Sequence, residues 1–312
     1  MLFELKAAIE ANDVLKVALI AGSMTGEELD AAKVPPLGDA PLDYAVRKNL
    51  PQIAEMLINC GASPNTRISS VFPILYYSTL ENQTEMAKLL IAKGAYINEV
   101  SLRNQTALYA AVGRDNIVIF EELLKHGADI NLLSDDGPPL HEATFNDNEE
   151  MVQLLLSHSA DVSVRGQYGR TALHVAFMHT SGDNGVIPSL LDAGADINDK
   201  DHFGLTSFLL AVQAGEAVLI QKSIESGANI NAVSDAGETA LHLAVQNSGV
   251  EVLQMLLDAG LDINAVTENG DTPTHVATRL GNLEAVQFFK AMGANISLKN
   301  NEGHTPLETI QQ

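Results

Sequence analysis

The fold class this sequence predicts is all-α: a solenoid of stacked helix-turn-helix units with projecting hairpin fingers. Three observations predict it. A tetrapeptide of the type Thr-Pro-Leu-His recurs with its second residue at positions 41, 74, 107, 139, 172, 207, 240, 273 and 306, giving steps of 33, 33, 32, 33, 35, 33, 33 and 33. Segments of the type Gly-Ala-Asp-Ile-Asn keep the same step and end at Asn65, Asn98, Asn131, Ser163, Asn198, Asn231, Asn264 and Ser297. The residue four past the second tetrapeptide position is always small: Ala45, Ser78, Ala111, Ala143, Ala176, Ala211, Ala244 and Ala277. Self-similarity at one fixed period marks a repeat architecture, in which each unit is one supersecondary element.

Each element of the unit has a local cause. Residues 1–35 precede the first tetrapeptide and read as an N-terminal capping helix pair, with apolar Leu2, Leu5, Ile9, Val14, Val17 and Ile20 and a turn at Asn12-Asp13. Within a unit, Thr before Pro or Ala starts the first helix, because the hydroxyl caps free amide donors and Pro suits the first turn. The small residue lets helices of neighbouring units approach closely. A turn follows, as at Asn82, Asp115 and Gly281, and then an apolar second helix with pairs such as Leu89-Leu90, Leu123-Leu124 and Leu256-Leu257. Gly61, Gly94, Gly127, Gly194, Gly227, Gly260 and Gly293 end that helix, where a left-handed residue is needed. Ser159 takes this place in one unit. The segment into the next unit, for example 231–237, is the finger.

Together these markers resemble the ankyrin repeat pattern over about residues 36 to 312, as eight full units and a C-terminal half unit. The resemblance implies one continuous repeat domain, 36–312, whose stability is a sum of unit and neighbour terms, in a curved, elongated stack. The ninth unit stops after its first helix. Its Glu-Thr-Ile-Gln-Gln ending either caps the stack or is where a longer protein has been cut. Two units depart from the step. The one near Thr171 has two extra residues in the inter-helix turn 178–185, where Gly182, Asp183, Asn184 and Gly185 suggest a flexible loop, and the one near Pro139 is one residue short beside Asp135-Asp136-Gly137. Tolerated length drift or a partner-specific loop would each account for them.

Composition narrows the function. The 312 residues include 40 acidic and 18 basic side chains, for a net charge of -22; 46% are hydrophobic, 5% aromatic and none is Trp. Such an apolar content excludes a largely disordered chain, and the charge argues against nucleic acid and anionic membranes as partners. The single cysteine, Cys60, excludes an intramolecular disulfide framework, so reducing, cytoplasmic surroundings are expected. Glu4, Lys6 and Glu10 interrupt any signal-peptide core, and the longest uncharged apolar stretch, near 203–215, is short of the roughly 20 residues a span needs.

No catalytic motif emerges. His141, His174, His242 and His275 occupy the same slot of different units, so each is expected to bond main chain locally, not to ligate metal. His126, His158, His179, His202 and His304 join no known motif, and no metal-binding, nucleophile-elbow or phosphate-loop signature is present. No cofactor and no metal are expected.

In proteins resembling this one, finger tips and inner helices line a concave groove that grips partner proteins. Transferred by register, those positions give Arg103, Arg114, Phe145, Tyr168, Arg170, Met178, His179, His202 and Phe203, preceded by Arg47, Lys48 and Phe72. Later units give Asp235, Glu238, Gln246, Asn247, Glu268, Asn269, Asp271 and Arg279. Five of the seven arginines fall on these positions, and Arg and aromatic residues dominate interface energies. The reading is one contiguous patch from Arg103 to Phe203 on a monomer, binding a protein with apolar anchors and with carboxylates for Arg103, Arg114 and Arg170. A non-catalytic interaction module or scaffold is the leading function, with a secreted bacterial effector engaging host protein as its sub-reading. The alternative is a regulatory or targeting portion of a larger enzyme. A third role is that of substrate, since the resemblance makes Asn98, Asn131, Asn198, Asn231 and Asn264 candidate hydroxylation sites.

Overall fold

The computed structural model describes residues 1–35, 38–179 and 185–311. Its contacts divide the chain into two compact units, one of Met1–Ala143 with Ser157–Ala160 and one of Thr144–Leu156 with Asp161–Gln312. The first opens with α1 (Leu2–Glu10) and α2 (Val14–Ala21), and then a third short helix that the expected capping pair did not include, α3 (Gly26–Ala31). Its sequence starts a helix by itself: the Thr25 hydroxyl accepts from the Glu28 N–H at 3.2 Å while the Glu28 carboxylate accepts from the Thr25 N–H at 2.8 Å. The repeats follow as helix pairs: α4 (Pro41–Arg47) with α5 (Pro51–Asn59), α6 (Ile74–Leu80) with α7 (Thr84–Ala92), and α8 (Ala107–Gly113) with α9 (Ile117–Lys125). Then come α10 (Pro139–Phe145) and α11 (Glu149–Ser157).

The second compact unit continues with α12 (Ala172–His179) and α13 (Val186–Asp192), α14 (Ser207–Ala214) and α15 (Ala217–Glu225), α16 (Ala240–Asn247) and α17 (Val250–Asp258), and α18 (Pro273–Arg279) and α19 (Leu283–Ala291). The half unit at the end forms a 3-10 helix, Pro306–Gln311, packed on α18. Within this unit α12 packs on α14, α14 on α16 and α16 on α18; in the first, α6 packs on α8 and α7 on α9. The small slot explains how. Ala45, Ser78, Ala111, Ala143, Ala176, Ala211, Ala244 and Ala277 are all at most 1% exposed, so the space beside each is filled by a neighbouring helix. The large core residues Phe120, Phe177, Phe208 and Phe289 lie on the same helix pairs.

The fingers are tighter than hairpins. Among the described residues one forms paired strands, Arg67–Ile68 against Phe72–Pro73 in antiparallel register. The others close on one main-chain bond to the carbonyl four residues on: Ser101 N–H to Gln105, Gly166 to Arg170, Asp201 to Leu205, Ser234 to Glu238, Thr267 to Asp271 and Asn300 to His304. In the short unit the bond spans three residues, Ser134 to Gly137. The missing residue is therefore absorbed in the finger and the helices keep their register. Of the expected turn 178–185, Met178 and His179 belong to α12 instead, and 180–184, including Gly182, Asp183 and Asn184, lie outside the described residues.

The repeated histidines hold finger to helix. His174 Nδ1 accepts from the Thr171 N–H at 3.1 Å, and its Nε2–H donates to the Asp199 carbonyl at 3.1 Å. His242 does the same with Thr239 and Asp271 (3.2 and 2.9 Å), and His275 with Thr272 and His304 (3.0 and 3.0 Å). The Nε2 bond of each reaches the next finger, and acceptance at Nδ1 from the histidine's own unit requires a neutral ring. Burial holds the imidazoles of His174 and His242 below their ordinary 6.5.

Two predictions follow from this packing. Ser159 has φ 65°, in line with the glycines of the same slot at 84° to 105°. Ser159→Gly should raise the urea-derived unfolding free energy by about 1 kcal/mol; an unchanged midpoint would show that the position carries no strain. The unfolded chain protonates its histidines near 6.5 while native His174 and His242 resist it, so their contribution is complete above that pH and lost as the pH falls below it. The urea midpoint should drop between about pH 7.5 and 5.5, less steeply in a His174→Gln/His242→Gln variant; parallel profiles would contradict it.

Candidate partner-binding surface

The second compact unit carries most of the candidate residues, with Tyr168, Arg170, His202 and Phe203 on its fingers and Phe145, Met178 and His179 on its helices. Tyr168 and Phe203 are on adjacent fingers with ring centroids 6.0 Å apart and planes tilted by 42°. Both stay half exposed, at 50% and 52%. The backbone sets this spacing, because the His202 N–H donates to the Tyr168 carbonyl at 2.9 Å. The same link recurs from finger to finger: Asp235 to Phe203 at 3.0 Å, Glu268 to Ala236 at 3.1 Å and Asn301 to Asn269 at 3.0 Å. Gly169 makes the close approach sterically feasible, since a Cβ there would lie 2.2 Å from the His202 ring. Tyr168 is itself left-handed, at φ 58° and ψ 20°, a conformation that costs a bulky residue free energy.

Arg170 stacks its guanidinium over the Tyr168 ring, 5.4 Å from the centroid, and its Nε pairs with Asp201 Oδ2 at 3.2 Å. The Asp201 side chain is fully buried. Its Oδ1 accepts the N–H groups of Phe203 at 2.9 Å and Leu205 at 3.0 Å, so one carboxylate shapes the finger and anchors the arginine. Nearby, Phe145 on α10 and His179 on α12 bring their rings to 4.8 Å. Burial, and then the charge of Arg170, holds the His179 imidazole below its ordinary value. Phe145 is 56% exposed, His179 and His202 are exposed, and Met178 is half-buried.

Arg103 and Arg114 belong to the first compact unit and are exposed there. Arg103 pairs with Asp136 at 2.8 Å, and Arg114 Nε donates to the Leu80 carbonyl at 2.7 Å. All three arginines expected to meet a partner's carboxylates thus have acceptors inside the chain. The acids that sequence reasoning missed, Asp136 and Asp201, lie 33 and 31 residues beyond their arginines, one finger further on. That offset was a readable signal, and it recurs in Arg67 with Glu99 and Arg165 with Asp199.

Three of the five candidate asparagines, Asn98, Asn198 and Asn264, tie one unit to the next. The side-chain oxygens of Asn98, Asn198 and Asn264 accept the N–H groups of Asp129, Asn229 and Asn295 at 2.9, 2.8 and 2.8 Å, and Asn98 Nδ2 donates to the Gly127 carbonyl at 3.0 Å. Among the described residues no group of three His, Cys, Asp or Glu side chains is placed to hold a metal ion, and no helix is long and apolar enough to cross a membrane.

Family models described as ankyrin repeats in three copies match residues 72–134, 119–201 and 173–267; one for many copies matches 248–290 and one for a single repeat 37–68. The chain is 29% identical to an ankyrin repeat protein of Rickettsia bellii over 54% of this chain and 24% of that one. It is 26% identical to an L-asparaginase of Dirofilaria immitis over 66% of this chain and 34% of that one. It therefore spans about a quarter to a third of these relatives' length. The solved ankyrin repeat domain of Bcl-3 matches with a TM-score of 0.58 and 30% identity, over 67% of this chain and 95% of that one.

Replacing Asp201 removes three acceptor contacts at once and leaves Arg170 beside a vacated, buried position. Asp201→Ala should lower stability by about 2–3 kcal/mol and disorder the Tyr168–Phe203 pair, seen as collapse of their ring-to-ring nuclear Overhauser effects. A loss under about 0.5 kcal/mol would mean that the finger holds its shape without the carboxylate.

Proposed function

The chain belongs to the ankyrin repeat family, and we propose that it is a non-catalytic module that captures a partner protein on the finger and inner-helix surface around Tyr168 and Phe203. Ankyrin repeats generally mediate protein–protein interaction. The observation that carries the finer reading is the pair of half-exposed rings on adjacent fingers, one of them held in a left-handed conformation. Large aromatic side chains kept on a surface at a cost in backbone strain have the character of binding anchors. Cytosolic surroundings suit a chain with one free thiol, Cys60. The effector sub-reading rests on composition and on likeness to a Rickettsia bellii protein.

A second reading has its own support. The likeness to an L-asparaginase covers 34% of that enzyme, so a repeat array of this kind also occurs beside catalytic sequence. In that setting the same surface would position or regulate an attached enzyme, and the chemistry of capture would be unchanged.

The test is capture of partners from lysate by the chain and by a Tyr168→Asn/Phe203→Ala variant, followed by affinity measurement on what is retained. Asn tolerates the left-handed backbone, so the variant should keep the circular dichroism spectrum and urea midpoint. Each anchor lost should weaken binding by about 1–3 kcal/mol. A folded variant that retains every partner at full affinity would overturn the assignment of the surface.

A further inference from the structure

Three clefts follow one another along the fingers of the second compact unit, each sharing lining residues with the next. The first, about 480 Å³, is lined by Phe203, Leu205 and Leu243 and by Asp235 and Glu238. The second, about 250 Å³, shares Glu238 and adds Asp271, Arg279 and Leu280. The third, about 300 Å³, shares Asp271 and Arg279 and adds Glu302. Leu205 and Leu243 are buried, so they form a floor, while Asp235 is exposed at the rim.

The charges in this row do not cancel. Its two arginines are neutralised from within, Arg170 by Asp201 and Arg279 by Asp271. Among the described residues Asp235 and Glu238 have no cation within ion-pair distance; Glu238 accepts a bond from the Ser234 hydroxyl at 3.1 Å. Lys200, on the adjacent finger, donates to the Val233 carbonyl at 3.0 Å and to neither carboxylate. Glu302 faces the His304 ring at 3.5 Å. Unmatched carboxylates beside an apolar wall focus a negative potential into the cleft, in a chain whose net charge is already -22. The clefts repeat at the finger step, which an extended segment can follow with successive side chains.

We propose that this row of clefts receives an extended peptide segment of a partner protein carrying Lys or Arg, its basic side chains meeting Asp235 and Glu238 and an apolar side chain entering beside Phe203, Leu205 and Leu243. The proposal rests on the interaction reading above and fixes the partner's charge. That charge is opposite to the acidic partner expected from the arginines alone, because those arginines already have acceptors.

The experiment is fluorescence anisotropy of the full chain with three labelled peptides that share alternate leucines and carry Arg, Gln or Glu between them. The Arg peptide should bind saturably and about tenfold tighter than the Gln peptide, more weakly as salt is raised, and the Glu peptide should bind least. Asp235→Asn/Glu238→Gln, which keeps side-chain size and hydrogen-bonding capacity, should cost about tenfold. Glu251→Gln/Glu284→Gln, on the second helices α17 and α19, should cost nothing. Equal binding of the three peptides, no saturable binding of the Arg peptide, or equal losses in the two double variants would overturn the proposal. Binding that depends on Phe203 but not on Asp235 and Glu238 would also overturn it while leaving the interaction reading intact. Binding indifferent to Phe203 as well would remove both.

Discussion

No unit of this chain can cover its own apolar face, and most of the structure answers that constraint. A helix pair of seven to nine residues each has one side that stays wet unless another pair lies on it. Hence the small residue at one slot, buried in every full unit, and hence the bonds that leave a unit for the next one. The histidine Nε2 reaches the following finger, the asparagine oxygen reaches the following loop, and the finger carbonyl receives the following finger's N–H. The histidine bonds satisfy buried or half-buried polar groups that a single unit would leave orphaned.

The fold was legible because repetition multiplies a weak signal. A single Thr-Ala-Leu-His or one Gly near a helix end means little, but Gly61 through Gly293 in one register identify a left-handed slot, and Ser159 adopts that conformation as the register requires. The same logic read His174, His242 and His275 as main-chain anchors rather than ligands. Legibility faded where repetition stops. The segment before the first tetrapeptide contains α3, whose capping box from Thr25 to Glu28 is a local signal with no copies elsewhere to reinforce it. Apart from the finger of Arg67–Pro73, the described fingers are single-bond turns in place of strand pairs, because at most three residues between the bonded groups leave no length for a ladder.

The surface was less legible than the core, for a physical reason. Register says which side chains stand on fingers, but the free energy of a surface charge depends on what faces it. Arg103 and Arg170 looked like unclaimed cations when read within their own units. Their counterions, Asp136 and Asp201, stand at the same place one finger along. Once those pairs are formed the finger surface of the second unit is left with Asp235 and Glu238 unmatched, and its character turns acidic. The aromatic pair survives this change because its ring spacing is set by main-chain bonding between the fingers and not by charge.

The stability of each unit is held by its neighbours. Hydrogen-exchange mass spectrometry of the full chain carrying Ala244→Leu measures this directly, because the added carbons must displace helices packed against α16. The expected result is a loss of protection in α14 and α18 as well as in α16, with little change in helices further away in the sequence. Loss confined to α16 and α17 would contradict it, since it would mean that each helix pair is stable by itself.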